Sequence, residues 1–382
     1  MSLSEATDVL LVIVGAGASN DCIPGGKHHA LVRLGDLPQF QAQDVVPPMT
    51  NGLLRGPLSS HIMGRFPAAS NVVAALHRQM RTESPDSESL EQAFAEYQDS
   101  HAHTPEGRRH VLAMRFYLRD LLWTCSNFMD MPQVTQGRIT NYTHLVGVLS
   151  DWANDETHDR HVCFVSFNYD LVLDRACGRY WQHNFTDPDS YLALPRVSIL
   201  KPHGSVQWYR PLRGQPSLDP STADARAIQH ASEDPDQSWL TRTVLGTDDA
   251  ATGHVAQPGI PALGLPMAGR TKFAWPPEHQ AHLEQLRGKV RRVLTVGWRG
   301  AEPHFNKYFG ELINTEGPEP RLLVVTGGSP GPAKRDADHV HGAIGADLDP
   351  PALGFEAYHD GFDQFRSQGF PGLPGWLLRD AA

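Results

Sequence analysis

Cysteine is scarce in this chain. Its 382 residues hold 4, at Cys22, Cys125, Cys163 and Cys177, and no two form a Cys-x-x-Cys pair. A structural zinc ribbon takes two close cysteine pairs, so that element is excluded, and widely spaced thiols fit a reducing compartment. Positive charge is also short. The 33 Lys and Arg face 43 Asp and Glu, giving a net charge of -10 and a pI near 6.0. That balance argues against a broad nucleic-acid face, which needs clustered cations. One basic strip, Arg287-Gly288-Lys289-Val290-Arg291-Arg292, reads as a solvated helix end running into a strand. Long apolar runs are missing as well. The longest, Val9 to Ala18, is too short to span a bilayer, and the N-terminus lacks the pattern of a cleaved signal. A cytoplasmic chain with no membrane partner is expected.

What is present is enough for a large core. The chain is 40% hydrophobic with 8 Trp, 15 Phe and 9 Tyr, so disorder is not its default state. Val9-Leu10-Leu11-Val12-Ile13-Val14 is a continuous β-branched run ending at glycine, the pattern of a buried parallel strand. Comparable runs recur at His161–Phe167, Val197–Leu200, Val290–Val296 and Leu322–Val325. Helical periodicity fills the intervals, at Glu106–Asn127, Tyr142–Trp152, Leu171–Tyr180 and Pro277–Lys289. This alternation predicts an α/β, Rossmann-like parallel sheet with helices on both faces.

The long interval between the first two strands reads mainly as helix, including Asn71–Met80 and Glu88–Tyr97. The expected division is therefore a core of 1–50 and 156–382 with an inserted helical subdomain at 51–155. A second interval, about 212–265, is rich in Pro, Asp, Ser, Thr and Gly and is expected to be a mobile lobe or long surface loop.

Three short motifs follow predicted strands. Gly15-Ala16-Gly17-Ala18-Ser19 can make a tight turn whose backbone a phosphate approaches freely, with Ser19 as a cap or a phosphate donor. A tight turn that binds nothing is the bland alternative. The oxidoreductase form of this loop needs a third glycine where Asn20 stands, and an acidic residue closing the next strand. Asp36 has the right distance but follows no strand-like run, so hydride transfer is disfavoured. Phe167-Asn168-Tyr169-Asp170 sits at a strand's carboxyl end, where ligands gather in open α/β sheets. Asn168 or Asp170 could equally cap the helix that follows. Lys201-Pro202-His203-Gly204 places an imidazole at a third strand end. The histidine pairs His101/His103 and His339/His341 lack a ligand set, and no metal is expected.

In this order the motifs resemble those of sirtuins, in particular the sirtuin-like, NAD-consuming proteins of bacterial antiviral defence. In that family a Gly-Ala-Gly-x-Ser loop cradles the NAD phosphates, an Asn-x-Asp segment lines the nicotinamide–ribose pocket, and a His-Gly supplies the base. The resemblance implies that Gly15, Ala16, Gly17, Ala18 and Ser19 hold phosphate, that Asn168 and Asp170 line the pocket, and that His203 is the base. Thr295-Val296-Gly297-Trp298-Arg299 is similar to the family's late strand–glycine motif, which assigns Gly297 and Trp298 to the cofactor, with Trp298 where sirtuins have Thr or Ser. Leu263–Pro266 and Phe273–Pro276 also look like the bacterial branch. The chain departs from protein deacylases in having no zinc ribbon and in carrying Ile23-Pro24-Gly25-Gly26-Lys27 after the loop.

The activity so implied is cleavage of NAD, as substrate, to nicotinamide and ADP-ribose, by an enzyme held inactive until triggered. The implied partners are further copies of the chain, as a homo-oligomer, and a separately encoded ring-forming DNA-translocating ATPase. A module that senses NAD or ADP-ribose without turnover is the competing expectation. It would need the phosphate loop but not Asn168, Asp170 and His203 together.

Overall fold

The computed structural model describes residues 8–26, 30–80, 87–194, 196–211, 220–233, 244–245, 259–267, 274–314, 319–328, 330–346, 348 and 353–378. Its centre is a six-stranded, wholly parallel sheet of β1 (Asp8–Val14), β2 (Arg160–Ser166), β3 (Val197–Leu200), β4 (Val290–Val296), β5 (Arg321–Val325) and β6 (Gly354–Tyr358). The strands lie in the order β6-β5-β4-β1-β2-β3. This is the 3-2-1-4-5-6 order of doubly wound, Rossmann-like sheets, whose direction of winding reverses beside β1. Helices flank the sheet, as the α/β reading expects. β1 and β2 are buried almost throughout, which is why their sequences are continuous apolar runs rather than alternating ones.

Register sets the level at which each strand ends. Val14 lies opposite Ser166 and Val296, Val165 opposite Leu200, Val296 opposite Val325, and Val325 opposite Tyr358. All six strands therefore stop at nearly one level. The segments beginning at Gly15, Phe167, Lys201, Gly297, Thr326 and His359 emerge along one edge, three on each side of the reversal.

The helices are α1 (Ala16–Asn20), α2 (Pro57–Met63), α3 (Pro67–Met80), α4 (Ser87–His101), α5 (Pro105–Met129), α6 (Asn141–Ala153), α7 (Val172–Tyr180), α8 (Pro220–Glu233), α9 (Pro277–Glu284), α10 (Pro303–Asn306), α11 (Phe309–Leu312), α12 (Pro330–Gly345), α13 (Gly361–Ser367) and α14 (Leu373–Leu378). α5 starts where Thr104 Oγ1 accepts from Gly107 N at 3.0 Å, with Pro105 at its first position. It buries Val111, Met114, Leu118, Leu121 and Leu122, and packs against α2, α3, α4 and α8. α6 is opened by a capping box between Thr140 and Thr143 and packs against β2, α7 and α13.

Three sequence expectations need correction. The interval 212–265 is not simply a loop. Pro220–Glu233 forms α8, whose Ala227, Ile228 and Ala231 are buried, and Gly259–Leu263 is a buried strand of a small antiparallel sheet with Gly204–Pro211 and Val244–Leu245. An apolar stripe made largely of alanine is too weak to stand out in a polar sequence. The rest of that interval, 212–219, 234–243 and 246–258, lies outside the described residues, as does Phe273. α9 stops at Glu284 rather than Lys289, where i→i−3 turns (Leu286 N to Leu283 O, Arg287 N to Glu284 O) take over, and Gly288, at φ +66, then leads the chain into β4. α1 is a single turn, so the helix expected to aim its N-terminus at a phosphate hardly exists.

Candidate functional site

The glycine loop is shaped by a backbone it touches. Gly15 N donates to Val296 O at 3.1 Å and Gly17 N to Gly297 O at 3.2 Å. A Cβ on Gly15 would lie 2.5 Å from Gly297 O, and one on Gly297, where φ is +59, would lie 2.2 Å from Ala18 N. The loops after β1 and β4 therefore cross at van der Waals contact, which only glycines permit. The pattern of glycines is explained by this crossing before any ligand is considered.

Asn168 braces the same loop. Its Nδ2 lies 2.9 Å from Gly15 O, 2.8 Å from Ser19 Oγ and 3.3 Å from Tyr142 OH. Ser19 is buried, and its hydroxyl faces Asn168 and Tyr142. Asp170 accepts from Val172 N at 3.0 Å just before α7, although the helix's N-cap is Leu171, which has no side-chain cap. Burial pushes the Asp170 carboxyl up from its ordinary range, against the opposing pull of the Lys201 ammonium. Lys201 is itself fully buried. It donates to Asp170 O at 2.6 Å and to both carboxylate oxygens of Asp174, at 3.0 and 2.9 Å. This ammonium thus ties the Asn168–Asp170 segment to the end of β3, where His203 follows.

His203 sits in an aromatic corner. Phe167 meets it edge-on at 5.0 Å, Tyr169 lies at 5.9 Å, and His304 at 6.5 Å with its ring 19° from parallel. Gly204, at φ +84, lets the backbone pass Ala262 O, where a Cβ would lie 2.0 Å away. Trp298 is buried, stacks on Phe167 at 5.8 Å, and donates from Nε1 to Glu302 Oε2 at 2.6 Å.

These residues line one cavity of about 720 Å³ at the carboxyl edge of the sheet. A volume of that order accommodates a dinucleotide-sized ligand. Gly15, Ala16, Gly17, Ser19, Asn168, Asp170, His203, Gly297 and Trp298 all face it, while Ala18 is fully buried and does not. Other lining residues lie outside the three motifs. They include Thr326-Gly327-Gly328 after β5 and Asp360-Gly361 after β6, on the far side of β1 from His203. A second strand-then-glycine signal, Val324-Val325-Thr326-Gly327-Gly328, was there to be read. Glu91, from α4, and Arg299 also line the cavity, joined by an ion pair of 3.3 Å.

Elsewhere, Arg119 forms a buried ionic cluster. Its guanidinium donates to Asp120 Oδ1 at 2.7 Å, Tyr209 OH at 2.9 Å and Asp224 Oδ2 at 2.8 Å, joining α5 to α8 and to the antiparallel sheet. The four cysteines are buried free thiols. Among the described residues no group of three or more His, Cys, Asp or Glu is placed to hold a metal ion, and no helix is long and apolar enough to cross a membrane. Compared with protein-family models and with curated proteins, this chain matches none.

Proposed function

We propose that this chain is a sirtuin-like NAD glycohydrolase, cleaving NAD to nicotinamide and ADP-ribose. The observation that carries the reading is convergence. Motifs from three distant stretches of sequence line one cavity at the point where the sheet reverses, with the glycine crossing among its walls. A dinucleotide spanning that reversal sets one nucleoside half beside Asn168, Asp170 and His203 and the other beside Thr326 and Asp360.

The chemistry follows from the substrate. The nicotinamide of NAD is already cationic and leaves without protonation, so the barrier lies in the oxocarbenium-like ribose left behind. A carboxyl group at Asp170 and the aromatic faces of Phe167 and Tyr169 suit that positive charge. His203 accepts the proton of a ribose hydroxyl or of the attacking water, and Asn168 holds the loop against which the ribose is oriented. A cytoplasmic antiphage effector, held inactive by self-assembly or by a ring-forming ATPase partner, is the biological setting this reading implies.

The test is nicotinamide release from NAD by the purified chain, its His203→Ala and Asn168→Ala variants, and a parallel NAD titration. His203→Ala should lower kcat by about 10²- to 10⁴-fold while leaving the melting curve in place. Asn168→Ala should lower both activity and stability, since its amide braces the loop. Binding without turnover would favour a sensor, a role consistent with the bracing duty of Asn168. The absence of both binding and turnover would overturn the proposal.

A further inference from the structure

We infer that Arg299 grips the diphosphate of the bound ligand, and that Glu91 of the helical insertion occupies Arg299 until the ligand displaces it. This rests on the dinucleotide reading above, and it begins from charge. The cavity is lined by the carboxyl groups of Asp21, Glu91, Asp170, Glu302, Asp336 and Asp360. Among the described lining residues, Arg299 carries the one guanidinium or ammonium group. A ligand with two phosphate charges entering such a cavity needs donors that the glycine loop does not freely offer. Gly15 N, Gly17 N and Ala18 N already donate to Val296 O, Gly297 O and Gly15 O, and the Ser19 hydroxyl is buried, accepting from Asn168 Nδ2 and lying 3.3 Å from Tyr142 OH.

Arg299 is placed to make up that deficit. It lies two residues beyond Gly297, on the same turn whose carbonyl receives Gly17 N, so its backbone is fixed relative to the glycine crossing. Its side chain keeps 39% of its exposure. It meets Glu91 through a single 3.3 Å contact from NH2, not the two-pronged fork that a guanidinium makes with a well-matched anion. A diphosphate presents the oxygens for such a fork, and a half-exposed ion pair of this kind holds only weakly. Glu91, on α4, therefore competes with the ligand for Arg299. That makes the helical insertion a brake on the site, coupled through one ion pair.

The two partners should respond with opposite sign, which a shared structural role would not produce. Binding of ADP-ribose and of inorganic pyrophosphate is measured by calorimetry on the wild-type chain, Arg299→Gln and Glu91→Gln. Loss of charge-assisted bonds should weaken both probes by roughly 10- to 100-fold in Arg299→Gln. Removal of the competing carboxylate should tighten both by up to about 5-fold in Glu91→Gln. Wild-type affinity in Arg299→Gln, weakened binding in Glu91→Gln, or no binding of either probe to the wild type would each overturn the inference. The NAD reading fails separately. Arg299-dependent pyrophosphate binding by a chain that neither binds nor cleaves NAD would keep the diphosphate grip and remove the glycohydrolase. Undiminished NAD cleavage by Arg299→Gln would do the reverse.

Discussion

Acidification should unfold this protein through three histidines at the β2–β3 edge of the sheet. His161 on β2 shares a 3.0 Å hydrogen bond with Ser198 Oγ on β3, and His282 on α9 lies 6.2 Å from its ring. His279, one turn earlier on α9, is fully buried, with Nε2 2.9 Å from Pro188 O and its ring edge-on to Trp208 at 5.1 Å. The cations facing this group, Lys289 toward His161 and Lys201 toward His279, add to burial in disfavouring protonation. His161 is lowered from 6.5 to about 3, and His279 and His282 each to about 4. The unfolded chain takes up protons below pH 6.5 that the folded chain refuses, so stability is full above that pH and is lost as pH falls toward 4. At pH 5 each histidine costs about 2 kcal/mol, or roughly 6 kcal/mol together, which is comparable with the whole stability of many domains. Urea unfolding at pH 7.5, 6 and 5 measures the loss. The variant His161→Gln/His279→Gln/His282→Gln, which keeps an amide donor at each position, should flatten the pH dependence. A wild-type unfolding free energy that is flat between pH 7 and 5 would refute the argument, as would an unchanged slope in the triple variant.

Further expectations come from other buried contacts. Lys201→Met leaves Asp174 buried without its ammonium and should cost about 3–5 kcal/mol in urea unfolding, with partial recovery on adding Asp174→Asn. A cost below about 1 kcal/mol would mean that water reaches the pair. Gly297→Ala forces a Cβ to 2.2 Å from Ala18 N at φ +59, and should cost at least about 3 kcal/mol and abolish ligand binding. Gly331→Ala, where a Cβ meets nothing within 4 Å, should leave the melting temperature unchanged or slightly raised. Arg119→Met should speed hydrogen exchange in α8 and in Gly204–Pro211 while sparing β1 and β2, because it cuts the ionic cluster that joins α5 to α8 and to the antiparallel sheet. Uniform acceleration across the sheet would argue that the cluster stabilises the whole fold instead.

The sheet was legible because it is buried on both faces. Val9–Val14 announces itself as a continuous apolar run because no position from Val9 to Val14 of that central parallel strand meets water, and the edge strand Val197–Leu200 is legible because it too is buried throughout. β6 was not legible for the same reason reversed. Gly354-Phe355-Glu356-Ala357-Tyr358 is a half-buried edge strand, and nothing in its composition demands a sheet. α8 was lost because its buried face is Ala227, Ile228 and Ala231, residues whose burial depends on the large side chains of α5 opposite. Local sequence carries the first kind of information, and only tertiary contact carries the second.

The site divides along the same line. That Gly15, Asn168, His203 and Gly297 belong together could be anticipated, because each follows a strand and strands of one parallel sheet end at one edge. What each side chain does there could not be anticipated. Ser19 and Asn168 face each other rather than standing apart as two ligand contacts, and Ala18 turns inward. Trp298 fills the floor against Phe167, and the amides of the glycine loop are largely committed to the crossing with Gly297. Under the inference drawn above, the burden of binding anions moves away from the loop that the motif advertises, toward the Arg299 guanidinium two residues past Gly297, with the Glu91 carboxylate of α4 competing for it. A motif names the strand ends that meet, whereas on this inference the charges that decide which ligand can stay come from Arg299, to which the late motif assigns no role, and from Glu91, which has no motif around it.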